Sequence, residues 1–346
     1  MKIIVDAMGG DYASDVVVDG AIAAVKEYQV GVVLVGDEAK IRMRIRKMKF
    51  DSKLLSVYPA SEVIEMHDSP ATSVRRKRNS SIVLGLKLVR DGQGDAFFSA
   101  GNTGAVVCAS TLTLGMLPGI ERPGIATLMP SLKGVSLIID VGANIDPKPL
   151  HILQYAVMAD AYARYILHNP NPRVGLLNVG EEESKGTVLL KDIHESLSKT
   201  HLNFIGNVEG RHLFSGDCDI IVCDGFVGNV ALKVTESLAE AMQISLKKHI
   251  FSNPLGIIGG LLLRSSFRAF KKEIDYSEYG GAPLLGVNGV SIIGHGRSNA
   301  KAIKNAIRVA KEEVENRFNE KVLEAINLEG LVQTKENNPQ VAPLDK

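Results

Sequence analysis

The sequence predicts an α/β fold with a mainly parallel sheet flanked by helices. Three observations carry that expectation. Short apolar runs alternate with longer amphipathic stretches along most of the 346 residues, the pattern of strands and helices in turn. The apolar runs are nearly continuous, as in strands covered on both faces. With 45% hydrophobic residues and 33 glycines, the chain can fill one large core or two lobes. In chain order the strand candidates are 2–5, 31–35, 54–58, 95–99, 125–129, 135–140, 173–178, 203–206 and 219–223. The helix candidates are 14–28, 37–49, 79–90, 103–116, 148–167, 186–199, 227–249 and 299–318. Residues 1–330 read as a single large α/β catalytic domain, of one or two lobes, with a helical hairpin at about 235–275. Residues 331–346, ending in TKENNPQVAPLDK, lack periodicity and read as a flexible tail.

Composition excludes several classes. A net charge of +1 gives no global basic field, and the basic runs lack interleaved aromatics, so nucleic acid is not expected as a partner. Cys108, Cys218 and Cys223 form no CxxC pair and read as inert thiols in a reducing compartment. The opening MKIIVDAMGG has no long apolar stretch of the signal-peptide kind. No apolar run reaches about 18 residues, so no spanning helix is expected. The expected location is cytoplasmic, with peripheral membrane association.

Five strand candidates end alike. DAMGGD follows 2–5, AGNTG follows 95–99, DVGAN follows 135–139, NVGEE follows 173–177 and DGFVGN follows 219–223. Glycine lets backbone N–H groups approach an anion, and the N-termini of following helices favour negative charge. Open α/β sheets bind ligands outside the carboxyl ends of their strands. An anion crevice built from five strand ends is therefore expected. GxxxxGK[ST] is absent, and no GxGxxG follows the first strand, so P-loop and ordinary dinucleotide sites are unsupported.

These loops, with ERP at 121–123, KG at 185–186, YGGAPLLG at 279–286 and HG at 295–296, resemble the phosphate acyltransferase of bacterial phospholipid synthesis, the PlsX family. The resemblance runs from residue 1 to about 318. It implies a fold related to isopropylmalate dehydrogenase and phosphotransacetylase, and a homodimer. It implies transfer of a fatty acyl group from an acyl-carrier-protein thioester to inorganic phosphate. The product would be acyl phosphate, handed to glycerol-3-phosphate acyltransferase. No cofactor and no metal are implied.

That reaction needs a place for a dianion, donors for the carbonyl oxyanion and help for the departing thiolate. Phosphate is itself a nucleophile, so direct attack in a ternary complex suffices. Positioning can contribute roughly 7 kcal/mol or more, and each oxyanion donor roughly 3 kcal/mol. Asn102 and Thr103, with the N–H groups of Gly101 and Gly104, are candidate donors; Asn102 also suits a helix N-cap. Lys185 before Gly186 can neutralise phosphate. Asn229 at the start of helix 227–249 is a further donor, with Lys233 one turn on. His295 is the candidate for protonating the thiolate, and Arg297 for neutralising charge. Substrate-binding candidates in the loops are Gly9, Gly10, Asn144 and Gly225, and the carboxylates Asp6, Asp11, Asp140 and Asp224 read as orienters of donors.

Two basic runs stand out. KIRMRIRKMK at 40–49 reads as a solvated face, and RRKR at 75–78 as a docking surface for an acidic carrier. Residues 250–272 place apolar side chains beside Arg264, Arg268, Lys271 and Lys272, which suits an anionic membrane surface; a dimer contact or acyl-chain pocket is the alternative. Two competing functions remain open from sequence: a short-chain coenzyme-A-dependent phosphotransacetylase, and a non-catalytic acyl-phosphate-binding membrane scaffold.

Overall fold

The computed structural model describes residues 1–48, 53–252, 254–273 and 276–331. The expected tail beyond 331 and Lys49 of the first basic run lie outside the described residues. So do the side chains of Arg268, Lys271 and Lys272.

The strands are β1 (Lys2–Asp6), β2 (Gly31–Gly36), β3 (Leu55–Pro59), β4 (Ala96–Ser99), β5 (Gly124–Ser131), β6 (Gly134–Ile139), β7 (Val174–Leu177), β8 (Phe204–Val208), β9 (Ile220–Val222), β10 (Ala282–Leu285) and β11 (Val290–Ile293). The helices are α1 (Asp15–Tyr28), α2 (Glu38–Lys47), α3 (Pro70–Arg76), α4 (Ser81–Arg90), α5 (Thr103–Thr113), α6 (Pro149–Tyr165), α7 (Val188–Ser198), α8 (His212–Ser215), α9 (Gly225–Ile250), α10 (Pro254–Leu262), α11 (Arg264–Glu273), α12 (Ala300–Glu315) and α13 (Phe318–Leu328). All nine expected strands are present. The sequence reading missed β10 and β11, which lie in a Gly- and Pro-rich stretch that reads as punctuation.

One eleven-stranded sheet runs β3-β2-β1-β4-β11-β10-β5-β6-β9-β7-β8. It is parallel in two halves. β3, β2, β1, β4 and β11 form one; β6, β9, β7 and β8 form the other. Between them β11–β10, β10–β5 and β5–β6 pair antiparallel. Three reversals leave the two halves pointing in opposite directions. The five glycine loops therefore do not line one sheet edge, as the sequence reading expected. Two follow β1 and β4 in one half, and three follow β6, β7 and β9 in the other. β10 is held on each side by only two residue pairs, Ala282↔Ile293 and Pro283↔Ile292, and Leu284↔Ile125 and Leu285↔Gly124.

Helices cover both faces. α1 and α12 pack together over the first half, with Val18, Ile22, Ile303 and Ile307 buried between them and the sheet. α6 and α13 do the same for the second half, through Tyr155, Met158, Tyr162, Phe318 and Val322. Tyr162 meets Phe318 edge to face at 5.5 Å, a geometry favoured by the ring quadrupoles. The stretch expected to form a helical hairpin at about 235–275 holds three helices, the end of α9 followed by α10 and α11. α10 packs mainly on α9 and α11, and Met242, Leu246, Leu261 and Leu262 are exposed along it.

Candidate active site

The first loop group closes on itself through Asp6. This carboxylate is buried at the end of β1. It accepts from the Met8 N–H at 2.9 Å and the Ser99 hydroxyl at 2.7 Å. Ser99 in turn accepts from the Gly101 N–H at 3.0 Å. A Cβ on Gly9 would come within 2.6 Å of both Asp6 Oδ2 and the Gly101 nitrogen, so glycine is what lets the two loops touch. Burial raises the Asp6 pKa, and its hydrogen bonds oppose that rise. Gly10 has φ +101°, and the next N–H, of exposed Asp11, donates to the Gly296 carbonyl at 2.8 Å.

Asn102 is 8% exposed, and its amide is fully occupied by the chain. Oδ1 caps α5 by accepting from the Ala105 N–H at 3.0 Å. Nδ2 donates to the carbonyls of Met66 and Asp68, each at 3.0 Å. What this loop can offer a ligand is backbone: the N–H groups of Thr103 and Gly104 open α5 and have no intrahelical acceptor. The Thr103 side chain is exposed. A Cβ on Gly104 would meet Pro70 at 2.7 Å, so α3 sits against the start of α5.

The second group is built around Asp140, buried at the end of β6. Its oxygens accept four backbone N–H groups: Ile125 at 3.0 Å, Gly142 at 3.0 Å, Ala143 at 2.9 Å and Asn144 at 2.7 Å. Burial raises its pKa against those bonds. Asn144 Nδ2 donates to the Pro123 carbonyl and to the Tyr155 hydroxyl, both at 2.6 Å. The Gly225 N–H donates to the Asn144 carbonyl at 2.8 Å, which couples the β6 loop to the β9 loop. A Cβ on Gly225 would lie 2.7 Å from Asp140 Oδ2. Asp224 is the N-cap of α9, accepting from Phe226 and Val227 at 3.0 and 2.8 Å. The helix thus begins at Gly225, two residues earlier than expected, and Asn229 stands one turn inside it. The Asn229 side chain is exposed and lies against the loop at Gly142. It makes no hydrogen bond among the described residues.

α9 joins the two groups. Lys233, one turn beyond Asn229 on the same face, places Nζ 2.8 Å from Glu236 Oε2 and 3.2 Å from His295 Nε2. His295 Nδ1 accepts from the Arg297 N–H at 3.2 Å. Arg297 lies 3.7 Å from Glu240 on the same helix. Burial is the main cause lowering the His295 pKa; Glu236 opposes it and Lys233 adds to it. Asn229, Lys233 and His295 thereby form a line from the β6 loop to the loop after β11.

Lys185 stands apart. α7 begins at Val188 behind the Thr187 cap, so Lys185 and Gly186 (φ +88°) lie on the preceding loop rather than on the helix. The loop is held by Asn178 Nδ2 donating to the Lys185 carbonyl at 3.2 Å and by Asn207 Nδ2 donating to the Glu182 carbonyl at 3.0 Å. The Lys185 side chain is exposed. Among the described residues its ammonium has no hydrogen-bond or ion-pair partner.

The two basic runs differ. On α2, Arg42 pairs with Glu38 at 2.6 Å and Arg44 with Asp19 and Asp15. At the end of α3, Lys77 holds Asp68 at 2.6 Å and the Val63 carbonyl at 2.7 Å. Arg75 and Arg76 are exposed with no carboxylate partner among the described residues. The sequence reading did not single out Arg122 as a site residue; it is exposed beside Pro123 and has no ion-pair partner among the described residues. Only its place in ERP pointed to it.

Among the described residues no group of three His, Cys, Asp or Glu side chains could hold a metal ion. Burial pushes the Cys218 thiol up to about 12 and raises Cys223 and Cys108 as well, so none is a ready nucleophile.

The backbone is similar to solved acyl-transfer enzymes. A phosphotransacetylase from Streptococcus pyogenes superposes with a TM-score of 0.64 at 16% identity, covering 91% of this chain and 94% of that one. A branched-chain phosphotransacylase from Enterococcus faecalis V583 gives 0.56 at 14% identity, covering 91% and 99%. At these identities the likeness shows the fold. The sequence carries more. A phosphate acyltransferase from Pelotomaculum thermopropionicum is 50% identical over 333 residues, 95% of this chain and 97% of that protein. One from Geobacter sulfurreducens is 46% identical over 329 residues, 95% of each. A family model described as fatty acid synthesis protein matches residues 1–321. With that match and those relatives, the chain belongs to the fatty acid synthesis protein family, among its phosphate acyltransferases, and is an acyl-transferring enzyme.

Proposed function

We propose that the enzyme transfers a long-chain acyl group from an acyl-carrier-protein thioester to inorganic phosphate by direct attack. A phosphate oxygen bonds to the thioester carbon and the C–S bond breaks. The proton lost by hydrogen phosphate ends on the thiol, so the products are acyl phosphate and free carrier. The observation that carries this reading is Asn229: a donor amide without a partner among the described residues, beside the Asp140 loop and one turn from Lys233. Asn229 and the N–H groups that open α5 take the phosphate and the developing oxyanion, and Lys185, whose ammonium has no ion-pair partner among the described residues, supplies positive charge from the loop after β7. His295, whose pKa burial lowers, stands with Nε2 3.2 Å from Lys233 Nζ and keeps that side chain between the β6 loop and the loop after β11. Donors fixed before the reaction are worth roughly 3 kcal/mol each. The acyl phosphate then passes to glycerol-3-phosphate acyltransferase.

Three surfaces support the partners. Arg75, Arg76 and Arg78 are exposed beside the start of α5 and suit an acidic carrier. Phe226, Val230, Val234, Leu238 and Met242 are exposed at four-residue spacing on α9, an apolar stripe that a second copy of the chain would cover. Leu255 and Leu262, 81% and 80% exposed on α10, suit an anionic membrane surface. Purified protein with palmitoyl carrier protein and phosphate should release acyl phosphate and free thiol in equal amounts; absence of both overturns the reading. Leu261→Glu with Leu262→Glu should abolish cosedimentation with anionic vesicles, and unchanged recovery removes the membrane contact.

A further inference from the structure

A cavity of about 900 Å³ lies outside the carboxyl ends of β1, β2 and β3, within the size range of small-molecule sites. None of the donors assigned to the reaction lines it. Met8, Pro59, Ala60, Val63 and Leu84 give it an apolar wall. Tyr58, Ser61 and Asn79 also line it, and among the described residues their hydroxyl and amide groups have no hydrogen-bond partner.

Its charged residues are already matched. Asp37 caps α2, accepting from Ala39 and Lys40 at 3.0 and 3.2 Å. Glu38 holds Arg42 at 2.6 Å, and Lys40 lies 3.7 Å from Asp37. An ionic ligand finds no free counter-charge there. A slender neutral chain that alternates amides with methylenes matches both the apolar wall and the idle polar groups.

Two of the lining residues, Asn79 and Met8, adjoin features already described. Asn79 directly follows the basic run 75–78, and Met8 leads into Gly9 and Gly10. Met8 is fixed by its N–H on Asp6 at 2.9 Å and by its sulfur, which accepts from the Asp37 N–H at 3.5 Å. Between the cavity and α5 runs the segment 61–68. Ser61 and Val63 line the cavity, while the carbonyls of Met66 and Asp68 accept from Asn102.

We propose that this cavity holds the thiol-bearing arm of the acyl donor, a chain of pantetheine chemistry, laid from Asn79 towards Met8 so that the thioester arrives at the start of α5. The inference rests on the carrier-thioester reading above. The test compares decanoyl thioesters of the carrier protein, of pantetheine and of N-acetylcysteamine, the last carrying only the thiol end of the arm. Ser61→Trp fills the cavity from its exposed rim, and Asn79→Ala removes a donor without adding bulk. In Ser61→Trp the ratio of kcat/KM for the pantetheine thioester to that for the N-acetylcysteamine thioester should fall at least tenfold. In Asn79→Ala it should fall about threefold. The carrier thioester should follow the pantetheine one. An unchanged ratio in both variants overturns the placement, whether all three rates hold or all three drop together. Loss with the carrier alone also overturns it, because that reports surface docking. If the wild-type enzyme turns over none of the three, it is the carrier-thioester reading that fails.

Discussion

Asp6 and Asp140 are both buried carboxylates at strand ends, and each organises a glycine loop, yet the asparagines beside them have opposite fates. Asn102 has both ends of its amide tied to the chain. Among the described residues Asn229 has neither tied, and the four N–H groups on Asp140 hold the loop it leans against. An asparagine in a glycine-rich strand end can therefore be scaffold or reagent. What separates the two is whether its amide is already satisfied.

The largest break in this comparison comes from the scaffold side. Asp140→Ala orphans four backbone N–H groups, each costing roughly 1–3 kcal/mol if left unsatisfied. Stability should fall by about 4 kcal/mol, read as the midpoint of denaturant unfolding; a shift under 1 kcal/mol would show that the carboxylate is not what holds the loop. On the reagent side, Asn229→Ala should cut turnover about a hundredfold or more, with stability changed by no more than about 0.5 kcal/mol. Lys185→Ala should behave the same way, and full activity in both variants would remove these residues from the site. Asn102→Ala falls between. Losing an N-cap costs about 1 kcal/mol, and losing the ties to Met66 and Asp68 about as much again. Stability should drop by about 2 kcal/mol, with a smaller loss of turnover than Asn229→Ala; the reverse order would make Asn102 the reagent.

The smallest effect is a pH dependence. His295 has its pKa lowered below the ordinary value of 6.5 in the folded protein. Below pH 6.5 the unfolded chain binds a proton that the folded chain does not, so this group destabilises the fold as pH drops through that window. His295→Gln should flatten the loss of stability between pH 7 and the folded pKa. Identical pH profiles for the two proteins would mean that the imidazole is not held neutral.

Much of the architecture was legible because a period of two or 3.6 in apolar residues survives in the sequence. Strand direction does not, and the opposed halves of the sheet follow from the antiparallel pairings of β10, β5 and β6; β10 sits among Gly280, Gly281, Pro283 and Gly286, and β11 between Gly289 and Gly294. The second basic run was separable from the first only by its partners. Arg44 is neutralised by Asp19, 25 residues upstream, a pairing that spacing along one helix cannot reveal. Asn102 as a cap was readable from its place before an apolar helix. Its grip on the 65–68 segment was not, since those carbonyls are more than 30 residues away.

β10 gives the molecule a mechanical weak axis. It holds to each neighbour through two residue pairs, and Pro283 has no N–H to contribute. Bending or twisting the sheet along this strand disrupts fewer main-chain hydrogen bonds than doing so along any other paired strand boundary between the halves. In the strand order β10 lies between β1 and β6, the strands that carry Asp6 and Asp140 at their ends, so the sparsest ladder of the sheet separates the two loops.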